Sequence, residues 1–97
     1  MSDLAIKKEA GDTKGRYVIE HADGATSELT FSILSKANVI ADHTGVAPAH
    51  EGQGYGKALA EALVNDARAE GFQIVPLCSY INALRRRHPD WADVFQV

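Results

Sequence analysis

Only one cysteine, Cys78, occurs in the 97-residue chain. One thiol cannot form an intrachain disulfide, so a disulfide-stapled scaffold is excluded and a reducing compartment, the cytoplasm, is the expected setting. Long apolar runs are missing as well. No stretch approaches the ~20 residues that cross a bilayer, and the opening "MSDLAIKKEAG" has neither the apolar core nor the cleavage site of a secretory signal. Basic residues are not in excess: 10 Lys and Arg stand against 13 Asp and Glu, a net charge of −3. A broad nucleic-acid surface would want the opposite balance. His21, His50 and His88 show no metal-ligand spacing with one another, so no metal is expected, and with the charge balance and the short apolar runs neither a nucleic acid nor a membrane is an expected partner. Repeats, low-complexity runs and linkers are also lacking. With 45% apolar residues, 1–97 reads as one small domain with its own core, expected to be a monomer.

The two halves of the chain differ in hydrophobic period. In "ELTFSIL", Leu29, Phe31 and Ile33 alternate with Glu28, Thr30 and Ser32, the period of a half-buried strand. "RYVIE" precedes it across Asp23-Gly24, a strong hairpin signal, and "SKAN" turns the chain into "VIADHTGV". With a weaker opening run, "LAIKKE", these form an expected four-stranded antiparallel meander over residues 4–46. From Tyr55 the period lengthens. Leu59, Leu63 and Ala67, joined by Ala60 and Val64, line one side, while Lys57, Glu61, Asn65 and Arg68 line the other. That is an amphipathic helix of about four turns, stopped by Gly71. "FQIVPLC" reads as a fifth strand, Ser79 as the N-cap of a short helix "YINALRRRH", and "DWADVF" as a cover for one side of the core. Strand four, helix and strand five form a β-α-β unit, whose strands are parallel neighbours. The expected fold class is therefore α/β (α+β).

Such a unit brings the end of "DHTGV", the glycines at 52, 54 and 56, and Cys78 to one sheet edge, where open α/β sheets bind ligands. Pro76 has no N–H for the ladder, so strands four and five should part near their ends and leave a slot. A helix start presents unpaired N–H groups and a partial positive charge, and glycines before it let a phosphate reach them. Two familiar phosphate loops do not fit. The Walker pattern would need Gly at Glu51 and Ser or Thr at Ala58, and the dinucleotide fingerprint would need Gly at Lys57.

Glu51-Gly52-Gln53-Gly54-Tyr55-Gly56, after a fourth strand and opening a long helix, resembles the acetyl-CoA loop of the GNAT (GCN5-related) N-acetyltransferases, closest to their small single-domain branch. That branch pairs "HT-x-V-x-P" and a G-x-G-x-G loop with a later "C-P-F" and an "R-H-P-[DE]-aromatic" ending. The counterparts here are His43-Thr44-Gly45-Val46-Ala47-Pro48, then Cys78-Ser79-Tyr80, then Arg87-His88-Pro89-Asp90-Trp91. The similarity spans residues 28–95. It implies a compact, truncated GNAT fold with acetyl-CoA as cofactor and an amine, small molecule or protein, as acceptor. The pyrophosphate would lie on the loop N–H groups and the pantetheine arm between strands four and five. The implied cofactor contacts run from Val46 through Glu51, Gly52, Gln53, Gly54, Tyr55 and Gly56 to Lys57, with Asn82 reaching from the short helix. Glu51 departs from the usual Gln or Arg, so only its backbone is carried over. One of Arg85, Arg86 and Arg87 would suit the CoA 3′-phosphate.

Two residues are candidates for the chemistry. Cys78 ends a strand before a helix start, a setting that favours a reactive thiolate; it would accept acetyl or protonate the leaving thiol. His43 reads as lying on the Val39 and Ala41 face near the slot, with a histidine's usual fitness as a general base. A second function class stays open, a CoA or acyl-CoA binding module with little transferase activity, as does a loop for another phosphorylated ligand. The chain also lacks the two helices that larger GNATs insert after strand one, which implies an open acceptor side.

Overall fold

The structure, a computed structural model, describes residues 5–96. Five strands lie side by side in chain order: β1 (Ile6–Ala10), β2 (Lys14–Glu20), β3 (Thr26–Ile33), β4 (Asn38–Gly45) and β5 (Gln73–Pro76). The first four pair antiparallel as the expected meander, and β5 joins β4 in parallel. Helix α1 (Tyr55–Glu70) makes the crossover, and α2 (Ser79–Arg87) follows β5. Short 3₁₀ turns at Pro48–His50 and Pro89–Val94 complete the described chain. Leu4, the expected start of the first strand, lies outside the described residues, and β1 extends instead to Ala10. Among the described residues no helix is long and apolar enough to cross a membrane.

Both helices pack on the same face of the sheet. Leu59, Leu63 and Val64 of α1 and Ile81 and Leu84 of α2 join Tyr17, Leu29, Phe31, Ala41 and Ile74 in one buried cluster. Each fully buried Leu contributes about 1.5–3 kcal/mol of hydrophobic stabilisation. Trp91, Val94 and Phe95 close its far side, and Gln96 N–H bonds to Ile74 C=O beyond the Ile74–Phe95 bridge, covering the free edge of β5. Gly71 ends α1 as the sequence indicates, with φ at +79° and its N–H on Ala67 C=O.

The opposite face carries no helix among the described residues. Arg16 spans Glu9 and Glu28 there, Lys7 pairs with Glu20, and Val18 lies buried beneath these chains. Exposed pairs of this kind stabilise little individually. Their long stems still screen Val18, which explains its burial without an apolar neighbouring layer.

Two sequence-based boundaries shift. The fifth strand stops at Pro76 rather than Cys78, because Leu77 N–H folds back to Val75 C=O. Consequently α2 starts one residue earlier than expected: Cys78, extended at φ −67° and ψ 126°, is the N-cap, and Ser79 is already helical.

At the rim of the core, the Tyr17 hydroxyl donates to Asp66 at 2.6 Å, and Lys8 meets the same carboxylate at 3.0 Å. Burial and the Asp66 hydrogen bond push the Tyr17 phenol well above its ordinary value. A tyrosine raised in the folded state contributes stability that is intact below the unfolded pKa of about 10 and is lost as pH rises past it. Alkaline unfolding followed at the phenolate absorbance should therefore show one tyrosine ionising only with the loss of structure. In Tyr17→Phe that coupled ionisation should be gone.

Candidate active site

The β4–β5 pairing runs from Asn38↔Gln73 to Ala41↔Pro76 and ends there, while β4 continues to Gly45. One further bond, Cys78 N–H to Ala41 C=O at 2.9 Å, ties the strands before the chain leaves into α2. The local cause is Leu77, whose N–H would continue the ladder to Ala41 but turns back to Val75 C=O. Gln73 N–H on Ala37 C=O sets the alternation of β5, so the N–H that Pro76 lacks would point away from β4, which corrects the cause expected from the sequence.

Next to this slot stands the uncapped start of α1. Gly54, its N-cap, sits at φ +86° and offers no side chain to the free N–H groups, and the first turn holds no acidic residue. Gly52 is also left-handed, at φ +78°. Both positions need glycine for backbone reasons. Gly56 has a different one. A Cβ there would come within 2.5 Å of the Tyr80 hydroxyl, so the third glycine lets Tyr80 of α2 lie against the helix start. A cavity of about 420 Å³ lies between these parts. Thr44 and Val46 form one side and Tyr80 another, and the floor is His50, Glu51 and the loop from Gly52 to Gly56.

The expected site residues divide into three groups. Val46, Glu51, Gly52, Gly54, Tyr55 and Gly56 line this cavity. Gln53 faces a separate depression with Ala58 and Glu61, and Lys57 is exposed on the first turn of α1. Asn82 donates its N–H to Cys78 C=O, but its side chain accepts from Arg85 Nε at 2.8 Å. Cys78 lies one layer behind the wall: it is buried, and its thiol donates to Thr44 Oγ1 at 3.6 Å.

His43 is not on the Val39 and Ala41 face. A bulge in β4 pairs Ala41 with Phe31 but His43 with Thr30, leaving Asp42 as the extra residue. Alternation is thereby interrupted, as bulges do. Asp42 bonds outward to Ser32 Oγ at 2.6 Å, His43 is exposed on the helix-free face, and Thr44 opposite Leu29 turns back toward Cys78.

Residues not singled out as site candidates from the sequence also belong here. The His21 and His50 rings stack at 3.8 Å with 6° between planes, and Tyr55 meets His21 edge-on at 4.7 Å. His50 Nε2 donates to Asp23 Oδ2 at 2.9 Å, while His21 Nε2 and the Ser27 hydroxyl are 2.8 Å apart. Ser27, fully buried, also accepts from Ala47 N–H at 3.2 Å. The Ala25 N–H and His50 hold the Asp23 carboxyl below its usual value. Partial burial pushes the Tyr80 phenol up. Histidines 29 positions apart carry no short-range motif, which is why the pattern of residues did not reveal them. Tyr80, within the quoted "C-S-Y", could have been found from its place at the helix start.

Larger hollows exist elsewhere, about 620 Å³ beside the β1–β2 hairpin, about 470 Å³ below Phe72 and about 460 Å³ at the depression beside Gln53. The first two contain no helix start; the third touches Gly54 but lies on the side of α1 away from Thr44 and Tyr80. Among the described residues no cluster could hold a metal ion.

Comparison with known proteins agrees with this geometry. The family of the GCN5-related N-acetyl-transferase matches residues 16–94. A solution structure of a GCN5-like protein from Staphylococcus aureus superposes with a TM-score of 0.71 at 31% identity, covering 99% of this chain and 91% of its own. No curated protein matches. The family match takes in the slot, the loop and both helices, and the chain belongs to the GCN5-related N-acetyltransferases, a family of acyl-transfer enzymes that typically use acetyl-CoA.

Proposed function

We propose that the chain transfers acetyl from acetyl-CoA to an amine, with the cofactor in the slot between β4 and β5. The observation that carries this reading is the end of strand pairing at Ala41↔Pro76 directly beside the uncapped, glycine-led start of α1. The residues fit the cofactor. Free N–H groups at the helix start suit a pyrophosphate, and the parted strands leave backbone N–H groups of β4 for the pantetheine and the thioester oxygen. When bound, the cofactor supplies an activated acetyl group.

The chain's own groups have separate tasks. Val46, Glu51, Gly52, Gly54, Tyr55, Gly56 and Tyr80 would enclose the phosphate end together with the Gln53 backbone, with Lys57 screening the phosphate charge and Asn82 near the arm. The Cys78 thiol donates to Thr44 Oγ1 behind the cavity wall, with Thr44 between it and the cavity. As a thiolate, Cys78 would attack the acetyl carbonyl and the C–S bond to CoA would break, the proton lost by Cys78 ending on the CoA sulfur. An amine would then take the acetyl and release Cys78. His43, on the helix-free face, is the base for an amine reaching the thioester from that side. With no helices over this face, the acceptor end is open enough for a protein amine.

Intact mass after incubation with acetyl-CoA, without acceptor, tests the covalent route. One added acetyl is expected, and none in Cys78→Ala. Stabilisation by CoA without acetylation would leave direct transfer, or a CoA-binding module. Absence of any stabilisation by CoA would overturn the cofactor assignment.

A further inference from the structure

We propose that His21 is a positioning residue for the glycine loop, and that a proton on it releases the loop. The 3₁₀ turn Pro48–His50 leads directly into Glu51 and Gly52, and two attachments fix it to the β2–β3 hairpin. One is Ala47 N–H on Ser27 Oγ at 3.2 Å; the other is the His50 ring, stacked on His21 and bonded to Asp23. Both converge on His21. The Ser27 hydroxyl accepts from Ala47 N–H, so its own hydrogen is free to point at His21 Nε2, 2.8 Å away. In that arrangement His21 is neutral with its proton on Nδ1.

The charged groups around the stack come from three elements. Asp23 belongs to the hairpin, His50 and Glu51 to the 3₁₀ turn and its end, and Tyr55 to α1. A charge on His50 has the Asp23 carboxylate 2.9 Å from its Nε2. A second, on His21, places two like charges ring on ring at 3.8 Å with one carboxylate between them. It also turns Nε2 into a donor, and the hydroxyl hydrogen of fully buried Ser27 loses its acceptor. The released state therefore takes up the proton more readily, and falling pH favours it.

The cofactor arm of the inference rests on the acetyl-CoA reading; the loop arm does not. The loop arm is measured on unliganded protein as the hydrogen-exchange protection of the Ala47 amide, corrected for intrinsic rates, at pH 7.5 and 5.5. Protection should fall about fivefold in the native chain and hold steady in His21→Gln, whose amide accepts from Ser27 but does not titrate. The cofactor arm is the ratio of CoA dissociation constants at the same two pH values within each protein. CoA's own phosphate changes charge near pH 6, a contribution common to both proteins. The native ratio should exceed the His21→Gln ratio by about fivefold. His21→Phe, which keeps a stacked ring without an acceptor, should also lose the pH dependence. Equal ratios, or unchanged Ala47 protection in the native chain, would overturn the proposal. Failure of CoA to bind at either pH would defeat the cofactor reading instead, and the Ala47 amide would still decide the role of His21.

Discussion

Gly54→Val should abolish CoA-dependent thermal stabilisation while leaving the sheet and both helices folded. The glycine stands at φ +86°, a region that costs a β-branched residue roughly 1–3 kcal/mol. No protein atom lies within 4 Å of where its Cβ would be, so the penalty comes from the backbone alone and nothing in the core is displaced. In the proposed complex that empty space is where the pyrophosphate meets the helix N–H groups, and an isopropyl group there would hold the anion off its donors. The expected loss is at least about 100-fold in CoA affinity, since displacing charge-assisted hydrogen bonds forfeits roughly 1.5–3 kcal/mol each. Calorimetric titration beside a circular-dichroism melt separates the two effects. Near-native CoA affinity would show that the anion sits elsewhere.

Leu29→Ala should be the most damaging single truncation. Leu29 is completely buried at the centre of β3, where it faces Tyr17 across one strand pair and Thr44 across the other. Removing it leaves a cavity beneath both the core and the Thr44–Cys78 pair, at about 3 kcal/mol. For a domain of this size that lowers Tm by about 12–24 °C. Leu34→Ala is the matched control. Leu34 is 64% exposed, and its truncation should leave Tm within a degree or two. Equal melting temperatures for the two variants would mean that the β3–β4 region does not form the central packing described above.

Some of these features are legible in the sequence and others are not. The meander, the crossover helix and the parallel fifth strand follow from local signals: alternation in "ELTFSIL", the Leu59–Leu63–Ala67 stripe and the Gly71 stop. The loop was equally legible, because consecutive residues supply the helix start and the glycines before it. What escaped depends on partners far apart in the chain. The bulge at Asp42 arises from how β4 pairs with Thr30 and Phe31, and no composition of "ADHTG" announces it. Simple alternation therefore puts His43 on the wrong face. The alternating pattern groups Gly56 with the glycines expected at a phosphate, although its tight neighbour is Tyr80, 24 positions on. The histidine stack joins a hairpin to a turn, a juxtaposition visible only once the meander is folded.

The bulge at Asp42 has a consequence for how this strand can change. It reverses the in–out parity of β4 partway along, so that neighbours His43 and Thr44 look out through opposite sides of the same sheet. Deleting Asp42 would make the Phe31–Ala41 and Thr30–His43 pairs consecutive and restore simple alternation, with His43 still outward opposite Thr30 and Thr44 still inward opposite Leu29. Asp42 is thus supernumerary to the pairing, and its loss would straighten the strand without exchanging the two faces. Deleting one residue from an unbulged part of the strand would turn over every side chain on one side of the deletion.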